Sequence, residues 1–280
     1  MAMPLSRITE HDSLGDFQRR LVPIDAVEKV VYVSGEGPAV IVMTEMPGIS
    51  PHVARFARWV REAGFTVFMP SLFGRDGAIA SAEEGVEVFR KTCISAEFRA
   101  LAADRPTPIV VWLRKLARHA HEQCGGPGVA AVGMCFTGNF ALGLMLEAPT
   151  LAAVVCQPSL PLEAPGDVGL PAAELLAIRH RLDDEDLTVM GLRFEGDRWC
   201  TAQRFAAYRQ ALGPRFVAHV LPDSAANPDP PPFFRHVVAS PHSVLTAHLV
   251  DEEGQPTVKA RDDVLRFLAS RLLRRDGSPG

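Results

Sequence analysis

Three residue types that together carry out nucleophilic acyl transfer follow one another along the 280-residue chain: Cys135, Asp197 and His242. Cys135 lies in Gly133-Met134-Cys135-Phe136-Thr137-Gly138, where an apolar run meets the start of a helical pattern. A nucleophile elbow has this form. It is a tight strand-to-helix turn, flanked by small residues, that presents one side chain at the carboxyl edge of a parallel sheet. There the helix dipole and free backbone N–H groups favour thiolate over thiol. The N–H of Phe136, directly after the nucleophile, would form part of an oxyanion hole. The pattern departs from expectation at Thr137, where glycine is usual, with Gly138 one residue later. On the motif alone, Cys135 reads equally well as a small buried hydrophobe.

Partners decide between these readings. An elbow of this type needs an acid and then a histidine later in the chain. Asp197, in "LRFEGDRWC", comes directly after a strand-like run at 187–194. His242, in "ASPHSVLT", closes a proline-rich segment that follows another such run at 215–222. The histidine would take the thiol proton, and the aspartate would hold the imidazole in the right tautomer. Glu195 competes for the acid role, and His236 and His248 for the base.

These residues need a scaffold that delivers strand ends to one edge. Apolar runs at 28–34, 39–45, 65–71, 128–134, 152–158, 187–194 and 215–222 read as strands. Helical patterns fall at 50–64, 106–122, 170–182, 200–212 and 257–273. The first has Ser50 as N-cap, Pro51 in the first turn and Gly64 just past the end. Such alternation predicts an α/β fold, a mainly parallel sheet with helices on both faces. One domain over 1–280 is expected, with 1–25 as an N-terminal extension. Residues 71–105 read as a loop and a loosely amphipathic helix. The proline-rich stretch 222–242 reads as an irregular active-site loop.

Composition limits the classes. With 47% hydrophobic and 22% charged residues, the chain is an ordinary globular protein. A formal net charge of −4 argues against nucleic acid as a partner. No run is apolar enough to span a bilayer, and the start lacks the apolar stretch of a secretory signal. The five cysteines contain no C-x-x-C pair, which fits a reducing cytoplasm. "RHAHEQC" (118–124) has poor spacing for a metal site, and no phosphate- or dinucleotide-binding fingerprint occurs. Neither cofactor nor metal is expected.

The chain resembles the dienelactone hydrolase family of α/β hydrolases over about residues 38–273. The resemblance rests on "VIVMTEMPGISPHVARFARWVREAGFTVFMPSLFGR", the elbow "VGMCFTG", the acid segment "FEGDRW" and the histidine segment "PHSV". It implies Cys135 as nucleophile, Asp197 as acid and His242 as base. It adds Glu45 as a carboxylate beside the thiol and the Met46 N–H as the second oxyanion donor. It further implies arginines for a substrate carboxylate, for which Arg75, Arg198 and Arg235 are the candidates. Thr137 and Pro241 depart from the family's glycines.

The expected activity is hydrolysis of small lactones or carboxylic esters through a thioester intermediate. The partner would be a small-molecule substrate, and the protein a monomer or small homo-oligomer. Two alternatives remain: a thioesterase or acyl transferase on the same fold, and a non-catalytic small-molecule binder.

Overall fold

The computed structural model describes residues 8–98 and 105–273. Eight strands form one sheet: β1 (Gln18–Ile24), β2 (Val27–Ser34), β3 (Ala39–Met43), β4 (Thr66–Pro70), β5 (Val129–Met134), β6 (Thr150–Cys156), β7 (Val189–Phe194) and β8 (Phe216–Leu221). Their spatial order is β1-β2-β4-β3-β5-β6-β7-β8. Only the β1–β2 and β2–β4 pairs are antiparallel; the rest of the sheet is parallel. The expected α/β-hydrolase architecture is therefore present. One expectation needs correction: within the stretch 1–25, set apart as an extension, Gln18–Ile24 is an edge strand paired along its length with β2. Arg19, Arg20 and Pro23 obscure it in the sequence, because an edge strand tolerates charge and proline that a central one does not.

The central strands are buried on both faces, so alternate residues feed two cores. Ile41 and Met43 of β3 face one, Val40 and Val42 the other. On the second side pack α1 (Pro51–Glu62) and α7 (Pro256–Leu272), through Val53, Phe56, Val60, Val264 and Leu268. The opposite face is covered by α3 (Pro108–Cys124), α5 (Ala172–Asp184) and α6 (Ala202–Leu212). Two further helices complete the set: α2 (Ala82–Ile94) and the short α4 (Gly138–Leu144). Helix α1 begins as its sequence demands, with Ser50 Oγ accepting from the Val53 N–H at 3.3 Å and Pro51 in the first turn. The proline-rich stretch 222–242 is irregular, apart from a 3-10 turn (Asp223–Ala225) and a single π turn (Phe234–Val238).

This arrangement brings the carboxyl ends of β3, β5, β6 and β7 side by side. The loops that leave them hold Glu45, Cys135, Gln157 with Ser159, and Asp197. In open parallel sheets this edge is where ligands bind.

Candidate active site

Cys135 leaves β5 with φ of +54°, a conformation that costs a non-glycine residue about 1–3 kcal/mol and persists only where the surroundings impose it. Three neighbours impose it. A Cβ on Gly133 would stand 2.2 Å from the Thr137 carbonyl oxygen, and one on Gly138 would stand 2.6 Å from Pro158 Cα. The close approaches therefore fall at 133 and 138, which is why 137 tolerates a side chain. Thr137 uses that side chain. Its hydroxyl accepts from the Met134 N–H at 3.0 Å and lies 3.1 Å from the Thr44 carbonyl oxygen, joining the elbow to the end of β3. The thiol is half-buried, and the Ser159 hydroxyl donates toward Sγ at 3.4 Å.

Asp197 and His242 meet as their order requires. Asp197 Oδ2 lies 2.8 Å from His242 Nδ1, while Oδ1 accepts the N–H groups of Trp199 at 2.9 Å and Cys200 at 3.0 Å. Both side chains are almost completely buried. Nε2 of His242 is buried and, among the described residues, makes no hydrogen bond. Burial opposes protonation of this ring, but the charge of Asp197 and then the neighbouring Cys135 outweigh it, so the His242 pKa stands well above the usual histidine value. The rivals are elsewhere. Glu195 and His236 are exposed. His248 is buried between Phe194 and Phe234 with Nδ1 accepting the Ser243 N–H at 3.1 Å, and burial lowers its pKa to about 3.

Glu45 is buried at the same sheet edge and is held by the histidine segment and Gln157. Its Oε2 accepts from the Ser243 hydroxyl at 2.5 Å and from Gln157 Nε2 at 3.3 Å, and its Oε1 accepts from the Thr246 hydroxyl. Among the described residues no hydrogen bond joins it to Cys135. The reason is local: "HSVLT" supplies two hydroxyls facing the end of β3, and they take up the carboxylate. Burial pushes the Glu45 carboxyl up, against the lowering influence of Ser243 and Thr246. Met46 follows at the buried turn out of β3, and Phe136 is the middle residue of the 3-10 turn Cys135–Thr137.

The three candidate arginines are not drawn together at the site. Arg75 is exposed and paired with Glu84, its Nε 2.5 Å from Oε1. Arg235 is paired with Asp229. Arg198 is exposed, beside Asp197 in sequence but on the solvent side of its loop.

Two arginines that sequence reasoning passed over do position the site. Arg193 sends NH1 to the carbonyls of Phe194 at 2.7 Å and Cys200 at 3.0 Å, bracing the loop that presents Asp197. Arg204 is 1% exposed and donates to carbonyls of Ser159, Leu160, Pro161, Ala164 and Asp167, organising the loop after β6. Gln157 is the third such residue. It sits at φ of +35°, and its side chain bridges Glu45 and the N–H of Val244. An arginine inside a strand or helix gives no sequence signal that it will turn inward; only loop carbonyls gathered by the fold make that burial tolerable.

Comparison with known proteins agrees with the fold. A curated carboxymethylenebutenolidase from Pseudomonas sp. (strain P51) is 31% identical over 118 residues, 40% of this chain and 46% of that protein. The match thus spans about half the length of the curated relative. Among solved structures, a dienelactone hydrolase-like promiscuous phosphotriesterase from metagenomic libraries superposes with a TM-score of 0.59 at 17% identity, covering 92% of this chain and 100% of that one. A cold-adapted esterase from an Arctic intertidal metagenomic library gives 0.57 at 10% identity, covering 96% and 100%. The profile of the dienelactone hydrolase family matches residues 27–177, which run from β2 through the elbow into α5. With more than half of the chain inside that match, this protein belongs to the dienelactone hydrolase family.

Proposed function

We propose that the protein hydrolyses small carboxylic esters or lactones through a Cys135–His242–Asp197 triad and a thioester intermediate. The observation that carries this reading is the pair of fates of the His242 nitrogens. Nδ1 is bound to a buried aspartate, and Nε2 is buried, makes no hydrogen bond among the described residues and lies next to the thiol on a strained elbow. The raised pKa of the ring gives it a high affinity for the thiol proton.

In the proposed sequence the Cys135 S–H proton moves to His242 Nε2 as sulfur attacks the ester carbonyl. The oxyanion is met by the N–H groups of Phe136 and Met46. Collapse of the tetrahedral adduct expels the alkoxide, which takes the proton back from Nε2, and leaves a thioester on Cys135. Water, losing a proton to Nε2, attacks the thioester and releases the acid and the thiol. Asp197 holds the ring's tautomer and orientation throughout and stabilises the imidazolium. The other thiols are poor competitors, because burial raises the pKa of Cys93, Cys124, Cys156 and Cys200.

The test is rapid-quench mass spectrometry of the protein mixed with p-nitrophenyl acetate. An acetyl group on Cys135, turned over at the rate of p-nitrophenol release, is expected. Turnover that persists in Cys135→Ala, or acetylation confined to another residue, overturns the reading.

A further inference from the structure

The sulfur of Cys135 has two polar side chains against it, and the proposed sequence of steps uses only one. His242 takes the thiol proton; the hydroxyl of Ser159 donates toward Sγ at 3.4 Å. Ser159 lies on the loop after β6 and is 2% exposed. Its backbone fixes it there. The Ser159 N–H donates to the Cys135 carbonyl at 3.0 Å, and the Ser159 carbonyl accepts from Arg204 Nη2 at 3.3 Å. Pro158, one residue earlier, packs so close to the elbow that a Cβ on Gly138 would stand 2.6 Å from its Cα. The loop is thus held against the elbow at three points, and none of them needs a hydroxyl at position 159.

One proton and two acceptors decide what that hydroxyl does. It stands 3.3 Å from the Gln157 carbonyl oxygen and 3.4 Å from Sγ. For an O–H···O bond the first distance is long, since about 2.7–2.8 Å is usual. Sulfur is the larger atom, so the second is an ordinary hydrogen-bond length. A neutral thiol is a weak acceptor and leaves the proton shared between the two. A thiolate is a strong acceptor, and a hydrogen bond to a charged atom is about twice as strong as one between neutral partners. The hydroxyl therefore turns fully to the sulfur when the sulfur becomes charged. His242 cannot fill this role throughout, because it passes its proton to the leaving alkoxide and takes another from water. A serine hydroxyl keeps its own proton at every step.

We infer that Ser159 is a further catalytic residue, whose hydroxyl stabilises the Cys135 thiolate by a hydrogen bond as sulfur attacks the ester and again as it leaves the thioester. The inference rests on the esterase reading for its role and on the contact with Sγ for its chemistry. No covalent bond to Ser159 forms or breaks; only the direction of its O–H changes, from the Gln157 carbonyl toward the sulfur. In acylation the bond favours loss of the thiol proton to His242. In deacylation it lowers the energy of the departing thiolate, as oxyanion donors do for oxygen.

The test is the pH dependence of the reaction of Cys135 with 4,4′-dithiodipyridine, a small uncharged disulfide. Mass spectrometry follows the modified residue in the full-length wild type, Ser159→Ala and Ser159→Thr. Ser159→Ala keeps all three backbone anchors and loses the donor. Its pH–rate midpoint should move up by about one pH unit, which is about tenfold in the ionisation equilibrium. A thiolate without its donor is also the better nucleophile, so the alkaline plateau should rise about threefold. In the same variant kcat for p-nitrophenyl acetate should fall about tenfold. Ser159→Thr keeps the donor and should restore the midpoint. An unmoved midpoint in Ser159→Ala, a profile lowered by the same factor at every pH, an unchanged kcat, or a threonine variant displaced as far as the alanine one would each overturn the inference. Hydrolysis of p-nitrophenyl acetate by the wild-type protein is judged separately. A moved midpoint without hydrolysis removes the esterase reading and keeps Ser159 as the thiolate's donor; hydrolysis through Cys135 with an unmoved midpoint does the reverse.

Discussion

Two buried carboxylates flank the same histidine segment, and they differ in everything except burial. Asp197 leaves β7 on a loop braced by Arg193 and accepts two backbone N–H groups besides His242 Nδ1. Glu45 leaves β3 and meets only hydroxyls and an amide: Ser243, Thr246 and Gln157. Backbone N–H groups can only donate, so Asp197 faces His242 with one oxygen already fixed by the chain. Hydroxyls can donate or accept, and they tolerate a protonated carboxyl equally well. For Glu45 burial prevails and its pKa rises. The lesson is that what a buried carboxyl faces, an imidazole or a set of hydroxyls and an amide, separates an electrostatic partner from a structural carboxyl. Glu45 holds the chain directly after His242 in place, through Ser243 and Thr246, and reaches the base through that backbone.

The largest effect belongs to Asp197→Asn. An amide there lets the ring adopt the wrong tautomer, and kcat should fall about 10³–10⁴-fold with folding intact. Steady-state kinetics with p-nitrophenyl acetate measures this, and a loss below tenfold would break the contrast with Glu45.

Glu45→Gln should lower kcat by about tenfold or less, since the shape is retained. Its clearer signature is in stability. The native carboxyl binds its proton more tightly than the unfolded one, so Glu45 costs stability as pH rises from its ordinary value through the raised one. From pH 5 to pH 8 the urea midpoint should therefore fall less, or rise more, in Glu45→Gln than in the wild type. An unchanged pH dependence would place the carboxyl's titration outside this network.

Thr137→Val tests what ties the two regions together. It keeps the branch and loses the hydroxyl that joins Met134 to the end of β3, at an expected cost of about 1–3 kcal/mol in urea denaturation. If the elbow depends on that joint, KM and kcat shift as well. Thr137→Gly should be no better, because the close contacts belong to Gly133 and Gly138.

The smallest effect concerns acid. His52 and His248 are buried with pKa values lowered to about 4 and about 3. Their depressed values mean that stability is complete above the ordinary histidine pKa of about 6.5 and is lost as pH falls below it, by up to about 1.4 kcal/mol per pH unit for each ring. His52→Phe should flatten the slope of the urea midpoint between pH 6.5 and 4.5, at the one of the two rings that the site does not touch through Ser243. An equally steep slope in that variant would mean that His52 is already protonated in the fold.

Most of the sheet is legible in the sequence, because a parallel strand buried on both faces must be a continuous apolar run. β3, β5, β6 and β7 all satisfy this. β1 is the exception: at the sheet's edge its polar residues face water, and nothing in QRRLVPI demands a strand. The helix start at Ser50 follows from capping, a local matter of one hydroxyl and one N–H. The spacing of the elbow, acid and histidine is also a sequence property, since each need only follow a strand of the same sheet.

The sequence by itself determined the α/β class, the order of the three candidate triad residues, and the family to which the chain belongs, because these rest on periodicity and motif. Only the tertiary structure decided which histidine meets Asp197, that Glu45 is held by Ser243 and Thr246, that Arg193 and Arg204 turn inward, and that Arg75 and Arg235 are paired at the surface. Those outcomes depend on contacts between residues far apart in the chain, where a few tenths of an ångström separate a partner from a bystander. No pattern along the chain encodes that distance.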